Sequence, residues 1–308
     1  MFRMNFVATV IITMLLGATA FAGSTPMFTT INNPNDPTFN QLLGINDNGV
    51  ISGYFGSGMA GHPNQGYTIA PPYTQFMPSN LPASVQTQAT GIIGNMATVG
   101  FWSPTNAGNG TDANFGFIRE ANGFTYLSVN NPLVSSTPSV NQLLGINGNN
   151  IVVGFYNDSN NLSHGYTYSV KTGQFTPVMV ENAVSDAATG INLHGVICGF
   201  FTDATGLTQG FVQDETAQTT VNVAVPNSGV TQLLGINAHG IAVGFYIGQD
   251  TFPHGIVYNK ATGSFTFVDD PNGTMGTTLN GINDQGQIVG FYTDAAGNTH
   301  GVLVIGVE

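Results

Sequence analysis

The chain has 308 residues with 41 Gly, 15 Pro, 4 Lys+Arg and 16 Asp+Glu; charged side chains make up 6%, apolar ones 42%, and the net charge is -12. So little charge beside an ordinary apolar share excludes a disordered chain, and the scarcity of cations excludes nucleic acid and anionic membrane, which are held by clustered Lys and Arg. The single cysteine, Cys198, excludes a disulfide framework and a multi-cysteine metal site, and glycine does not fall at every third position as collagen demands.

The N-terminus carries one positive charge at Arg3, an apolar run from Phe6 to Ala20, and the small residues of Ala20-Phe21-Ala22. This is the pattern of a secretory signal peptide over residues 1–22, cleaved before Gly23, and it predicts an extracellular or periplasmic protein. The apolar run is shorter than the ~20 residues of a membrane anchor, so no membrane insertion is expected after cleavage. Beyond residue 22 the basic side chains are Arg119, Lys171 and Lys260.

Residues 23–308 read as one domain of repeats, marked by Gly-Ile cores at Gly44, Gly91, Gly145, Gly190, Gly235 and Gly281. Nine positions after each core comes a second glycine, at Gly53, Gly100, Gly154, Gly199, Gly244 and Gly290. A third opens the next apolar run at Gly66, Gly116, Gly165, Gly210, Gly255 and Gly301. The glycine excess is therefore periodic.

Each repeat reads as four short strands, a to d, separated by turn signals. In the fifth, strand a is Gln232–Asn237, b is Ile241–Tyr246, c is His254–Tyr258 and d is Ser264–Val268. The Asn-x-x-Gly between a and b suits a tight hairpin with glycine at positive φ. Four strands per ~45 residues is the measure of a β-propeller blade. The ends are complementary: Met27–Ile31 is a lone strand d, and the sixth repeat stops after strand c at Ile305. The expectation is an all-β, six-bladed propeller with four-stranded blades, closed by the N-terminal strand completing the last blade, because closure leaves only short edges.

The pattern Gly-Ile-Asn-x-x-Gly-x-Ile-Val-Gly-Phe-Tyr-x-Asp-x-x-Gly-x-x-His-Gly, clearest in Gly281–Gly301, resembles the HAF-type extracellular repeat family of bacterial exported proteins. The resemblance covers nearly all of residues 23–308. The second repeat departs most, with Ile93 for Asn, Met96 for Gly and Phe115 for His. What the resemblance implies is export and a repeat β fold, with no activity to carry across.

Candidate site residues follow from what the repeat places at one face and from where it is broken. Gln41, Gln142 and Gln232 begin the near-identical Gln-Leu-Leu segments of repeats one, three and five, whereas repeats two, four and six have Ala89-Thr90, Ala188-Thr189 and Leu279-Asn280. These glutamines read either as amides at an axial mouth for a polar ligand such as a glycan, or as fittings between alternating blades. The repeat breaks in its first two copies, through the long loops 56–64 and 103–114, the off-register His62 and the sole tryptophan, Trp102. An aromatic stands at the Trp102 position in every repeat, so it reads as packing or as a stacking platform.

Other recurrent polar residues read as structural. The turn asparagines, Asn46 among them, suit their own backbone better than a cation, which prefers carboxylates. Asp158, Asp203 and Asp294 read as loop caps, and His164, His254 and His300 as hydrogen-bond partners of the b/c loops. Cys198 aligns with valines and reads as a buried hydrophobe. No metal or cofactor is expected. The function that fits is an exported binding or cell-surface interaction protein for a neutral ligand such as a glycan. The alternatives are a secreted propeller hydrolase or lyase with its site at the channel mouth, and a structural matrix component.

Overall fold

The computed structural model describes residues 25–307 apart from residues 95, 109, 122–124 and 215; the expected signal peptide, residues 1–22, lies outside the described residues. Every regular element among them is a β-strand. After β1 (Met27–Thr30), the first repeat supplies β2 (Asn40–Ile45), β3 (Ile51–Phe55), β4 (Gln65–Ile69) and β5 (Phe76–Pro78), and the second β6 (Gln86–Ile92), β7 (Thr98–Ser103), β8 (Phe115–Arg119) and β9 (Tyr126–Val129). The third supplies β10 (Asn141–Ile146), β11 (Ile151–Asn157), β12 (Ser163–Ser169) and β13 (Gln174–Pro177), and the fourth β14 (Ala183–Ile191), β15 (Val196–Asp203), β16 (Thr208–Asp214) and β17 (Thr219–Val223). The fifth contributes β18 (Val230–Ile236), β19 (Ile241–Ile247), β20 (Pro253–Asn259) and β21 (Ser264–Phe267), and the last β22 (Thr277–Ile282), β23 (Ile288–Thr293) and β24 (Thr299–Ile305).

Each of the first five repeats pairs its strands antiparallel in chain order; a parallel bridge, Thr208 to Val230, joins the fourth set to the fifth, and others, Asn114 to Val140 and Phe39 to Thr299, join the second repeat to the third and the first to the last. The last sheet runs β1-β24-β23-β22, with Phe28 opposite Val304. The N-terminal strand thus supplies the strand that the sixth repeat lacks.

The three periodic glycines have three distinct causes. The strand-a glycines approach one another: a Cβ on Gly44, Gly91, Gly145, Gly190 or Gly235 would lie 3.0–3.3 Å from the Cα of the next repeat's glycine, and one on Gly281 would lie 3.2 Å from that of Gly44. The strand-b glycines face the bulge that interrupts every a/b ladder, where a Cβ on Gly154, for example, would run into the Gln142 carbonyl. The strand-c glycines admit the next repeat's strand a, as Gly116 admits Leu143 and Gly301 admits Leu42.

Apolar clusters lie between neighbouring sheets. Leu143 and Val152 pack with Val99 and Val129 of the repeat before, and Leu42, Ile51 and Tyr67 pack with Val289 and Leu303 of the last repeat. Cys198 is fully buried in one of these clusters, as its alignment with valines predicts, and desolvation pushes its thiol up to about 12.

The turn asparagines do two jobs. Their Oδ1 accepts from their own turn, as Asn46 does from Asn48 and Val50 N–H. Their Nδ2 also donates to the neighbouring repeat: Asn46 to the Ile93 carbonyl, Asn147 to Asn192, Asn192 to Asn237, Asn237 to Asn283, and Asn283 to Asn46 at 3.0 Å. The a/b turns place Gly49, Gly195, Gly240 and Gly286 at positive φ as expected. In the second repeat Met96 takes this conformation at φ 66°.

Candidate functional site

The b/c loops and the d-to-a connections share one face, and there lies a cavity of about 470 Å³ where the first three repeats meet. It sits where the repeat is broken. Its lining combines loop residues Ser57 to Met59, Gly108, Gly110 and Asp112, Asn64 and Asn114 at the starts of two c strands, Gln86 to Gln88 and Gln142 at the starts of two a strands, and the Phe101-Trp102 end of β7.

Local chemistry builds the walls. Asp112 folds its own loop, accepting from Thr105 Oγ1 at 2.5 Å, from the Ala107 N–H at 3.0 Å and from Gln86 Nε2 at 3.1 Å. Partial burial acts to raise the Asp112 carboxyl, but these hydrogen bonds and one from Gly108 outweigh it and hold the group below its ordinary range. The two long loops clasp each other: Asn106 Nδ2 donates to the Met59 carbonyl at 3.1 Å, and a Cβ at Gly108 would run into the Ala60 backbone. Amide pairs fix the floor. Gln142 Nε2 donates to Asn114 Oδ1 at 2.6 Å, and Gln88 Nε2 donates to Asn64 Oδ1 at 2.8 Å. Asn64 in turn donates to the Gly56 carbonyl.

Of the residues singled out in the sequence, Trp102 and Gln142 come together here. Trp102 packs against Phe115 with ring centroids 5.2 Å apart. Gln41 and Gln232 occupy the same strand-a register but lie outside this cavity; the Gln41 Oε1 accepts from Tyr54 at 2.8 Å. His62 closes the first long loop through its backbone, with N–H to the Met59 carbonyl, while the residue itself is exposed and not part of the lining. Sequence reasoning missed Gln88, Gln86 and Asn64 as site residues, while Asp112 falls in the long loop 103–114 that it marked. Gln88 stands three positions before Gly91, as Gln41 stands before Gly44, so its register could have found it. Gln86 and Asn64 had no such signal, because the loop that gathers them has no counterpart in the other repeats.

The alternation along the axis has its own explanation. In the even repeats the hydroxyl or amide at this position donates to a leucine carbonyl of the following repeat: Thr90 to Leu143, Thr189 to Leu233 (both 2.7 Å) and Asn280 to Leu42 at 2.9 Å. Those residues, with Leu43, Leu144 and Leu234, line a narrow axial space of about 90 Å³. The three recurrent histidines bond the aspartates of their b/c loops, His164 to Asp158, His254 to Asp250 and His300 to Asp294, at 2.8–3.1 Å. Those aspartates also cap their loops, Asp294 accepting from Ala296 and Asn298 N–H.

No family model matches the chain, and no curated protein matches it. Among solved structures it is similar to TolB from Acinetobacter baumannii, with a TM-score of 0.54 at 9% identity; the match covers 82% of this chain and 63% of that one, so the chain spans less than two thirds of TolB. It is also similar to a chain of a nidogen/laminin complex, with a TM-score of 0.51 at 12% identity over 80% of this chain and 86% of that one. At such identities the likeness concerns the fold alone, a β-propeller-like array of four-stranded sheets. Among the described residues no helix is long and apolar enough to cross a membrane.

Proposed function

We propose that this chain is an exported, non-catalytic binding protein, a closed six-bladed propeller whose cavity between the first three blades takes a neutral ligand such as a cell-surface glycan. Closure is supported by β1 completing the last sheet, by the Asn283–Asn46 hydrogen bond and by the contact of Gly281 with Gly44. Export to the extracellular space or periplasm rests on the leader pattern of residues 1–22 and on the HAF-type resemblance.

The observation that carries the binding reading is the composition of the cavity: Phe101 and Trp102 among its lining residues, together with the amides of Gln86, Gln88, Asn64, Asn114 and Gln142. Apolar walls with a few fixed polar groups are the ordinary form of a small-ligand site, and an aromatic ring with amides suits the apolar face and hydroxyl rim of a sugar. The hydrolase alternative would draw on Asp112, the carboxylate among the described lining residues. Its oxygens are spent on holding the loop. The test is a glycan array probed with residues 23–308 and with Gln142→Ala. Neutral glycans should bind the first and lose at least about tenfold in affinity on the second, the circular dichroism of both being alike. Absence of neutral glycan binding, or binding indifferent to Gln142, refutes the reading.

A further inference from the structure

On the premise that the cavity binds sugars, its polar groups narrow the class of ligand. Gln88 and Gln142 each commit an N–H to a neighbouring asparagine, at 2.8 and 2.6 Å, and their Oε1 atoms have no donor among the described residues. Those oxygens are acceptors facing a ligand that carries hydroxyl donors. Trp102 is the opposite case. Its ring lines the cavity, yet its Nε1 is buried with no acceptor among the described residues. A buried indole N–H normally finds a partner, and one left alone is costly. Every other repeat places Phe or Tyr at this position, Phe55, Tyr156, Phe201, Tyr246 and Tyr292, so packing alone calls for no indole nitrogen. The cavity that its ring lines is walled by the two long loops, joined by the Asn106 to Met59 hydrogen bond, segments that the other repeats lack.

We infer that the cavity is selective for an N-acylated neutral sugar, whose hydroxyls meet the glutamine oxygens and whose amide carbonyl accepts from Trp102 Nε1. A hydroxyl oxygen could also accept this bond, but the acyl carbonyl is the stronger acceptor and spends no donor of its own. A cavity of about 470 Å³ falls in the range of small-ligand sites.

The sole tryptophan makes the test direct. Wild-type protein is titrated with N,N′-diacetylchitobiose and with cellobiose, which share a β-1,4 backbone and differ in the acetamido groups, and binding is read by tryptophan emission and by calorimetry. Diacetylchitobiose should bind at least about tenfold more tightly, the scale of one buried hydrogen bond. Trp102→Phe keeps an aromatic ring and removes the donor. Calorimetry should show its preference for the acetylated sugar collapsing, with cellobiose affinity unchanged within about twofold and thermal stability no lower than wild type. Equal wild-type affinities, or a preference that survives Trp102→Phe, overturn the N-acyl assignment while leaving the sugar cavity standing. Failure of both sugars to bind, or binding unaltered by a paired Gln88→Ala and Gln142→Ala change, removes the premise and the inference together.

Discussion

Ring closure can be tested at a single atom. In Asn283→Asp the retained Oδ1 still accepts from the Gln285 and Gln287 N–H groups, so the turn is preserved. What changes is the other atom, where a donor 3.0 Å from the Asn46 carbonyl and 2.8 Å from Gln287 Oε1 becomes a second carboxylate oxygen. Asn283 is 3% exposed, so water cannot make good the loss. Losing the bond to Asn46 and that to Gln287 costs about 1 kcal/mol each, and burying an oxygen against a carbonyl about 1–3 more, for a total of about 3–5 kcal/mol at pH 7. The control is Asn147→Asp, which removes the corresponding inter-repeat donor at a junction between consecutive repeats, where Asn147 donates to the Asn192 carbonyl at 2.9 Å, and which should cost about 2–4 kcal/mol. With a urea m-value of about 3 kcal/mol/M, both variants should lower the unfolding midpoint by about 1 M. Acidification should narrow the gap to wild type, because protonation of the introduced carboxyl restores a donor for the Asn46 carbonyl. Were Asn283→Asp to unfold like wild type while Asn147→Asp does not, the first and last repeats would not be joined in solution.

Two further expectations concern strain and acidity. Met96 is 42% exposed and holds a left-handed conformation that costs a side-chain-bearing residue about 1–2 kcal/mol, so Met96→Gly should gain about 0.5–1 kcal/mol after the added chain entropy, read as a higher melting temperature; a lower one would show that Met96 is not strained. His254 lies between Asp269 and Asp250, both 2.8 Å away, and the bond to Asp269 foremost, then that to Asp250, raises its pKa against partial desolvation. Its contribution to stability is therefore complete below the ordinary histidine value of about 6.5 and is lost as pH rises through the higher folded value. Asp158, Asp250 and Asp294 are lowered, first by their histidines, so their contribution holds above the ordinary carboxylate value of about 4 and is lost in more acid solution. An NMR titration should place His254 above about 6.5, and a midpoint at or below that value would refute the clasp.

The strands were legible because the constraints that produce them recur in sequence. A glycine is needed at the axis, at the bulge and at the sheet-to-sheet contact in every repeat, and each need is steric, so Gly145, Gly154 and Gly165 could be read without coordinates. The loop histidines were legible for a similar reason, since Gln at the same position in other repeats pointed to a hydrogen bond. The asparagine side chains were half legible. A turn declares its own acceptor within four residues, but the partner of the Asn46 amide lies 47 residues away, and nothing local names it. The cavity was flagged at Trp102 by broken periodicity and at Gln142 by the recurrent Gln-Leu-Leu register. The roles of Asp112 and Asn64 escaped because they depend on how two unrelated loops meet.

The axial hydrogen bonds from Thr90, Thr189 and Asn280 to leucine carbonyls recur at every second repeat. That makes the two-repeat pair, about 90 residues at ~45 per blade, the smallest unit that can be gained or lost without changing the kind of junction at the axis. Inserting a single repeat would set two donors, or two leucines, side by side. Lineages or designs that lengthen this protein should therefore move between even repeat numbers, and a chimera exchanging one odd repeat for one even repeat should fail at both of its new seams.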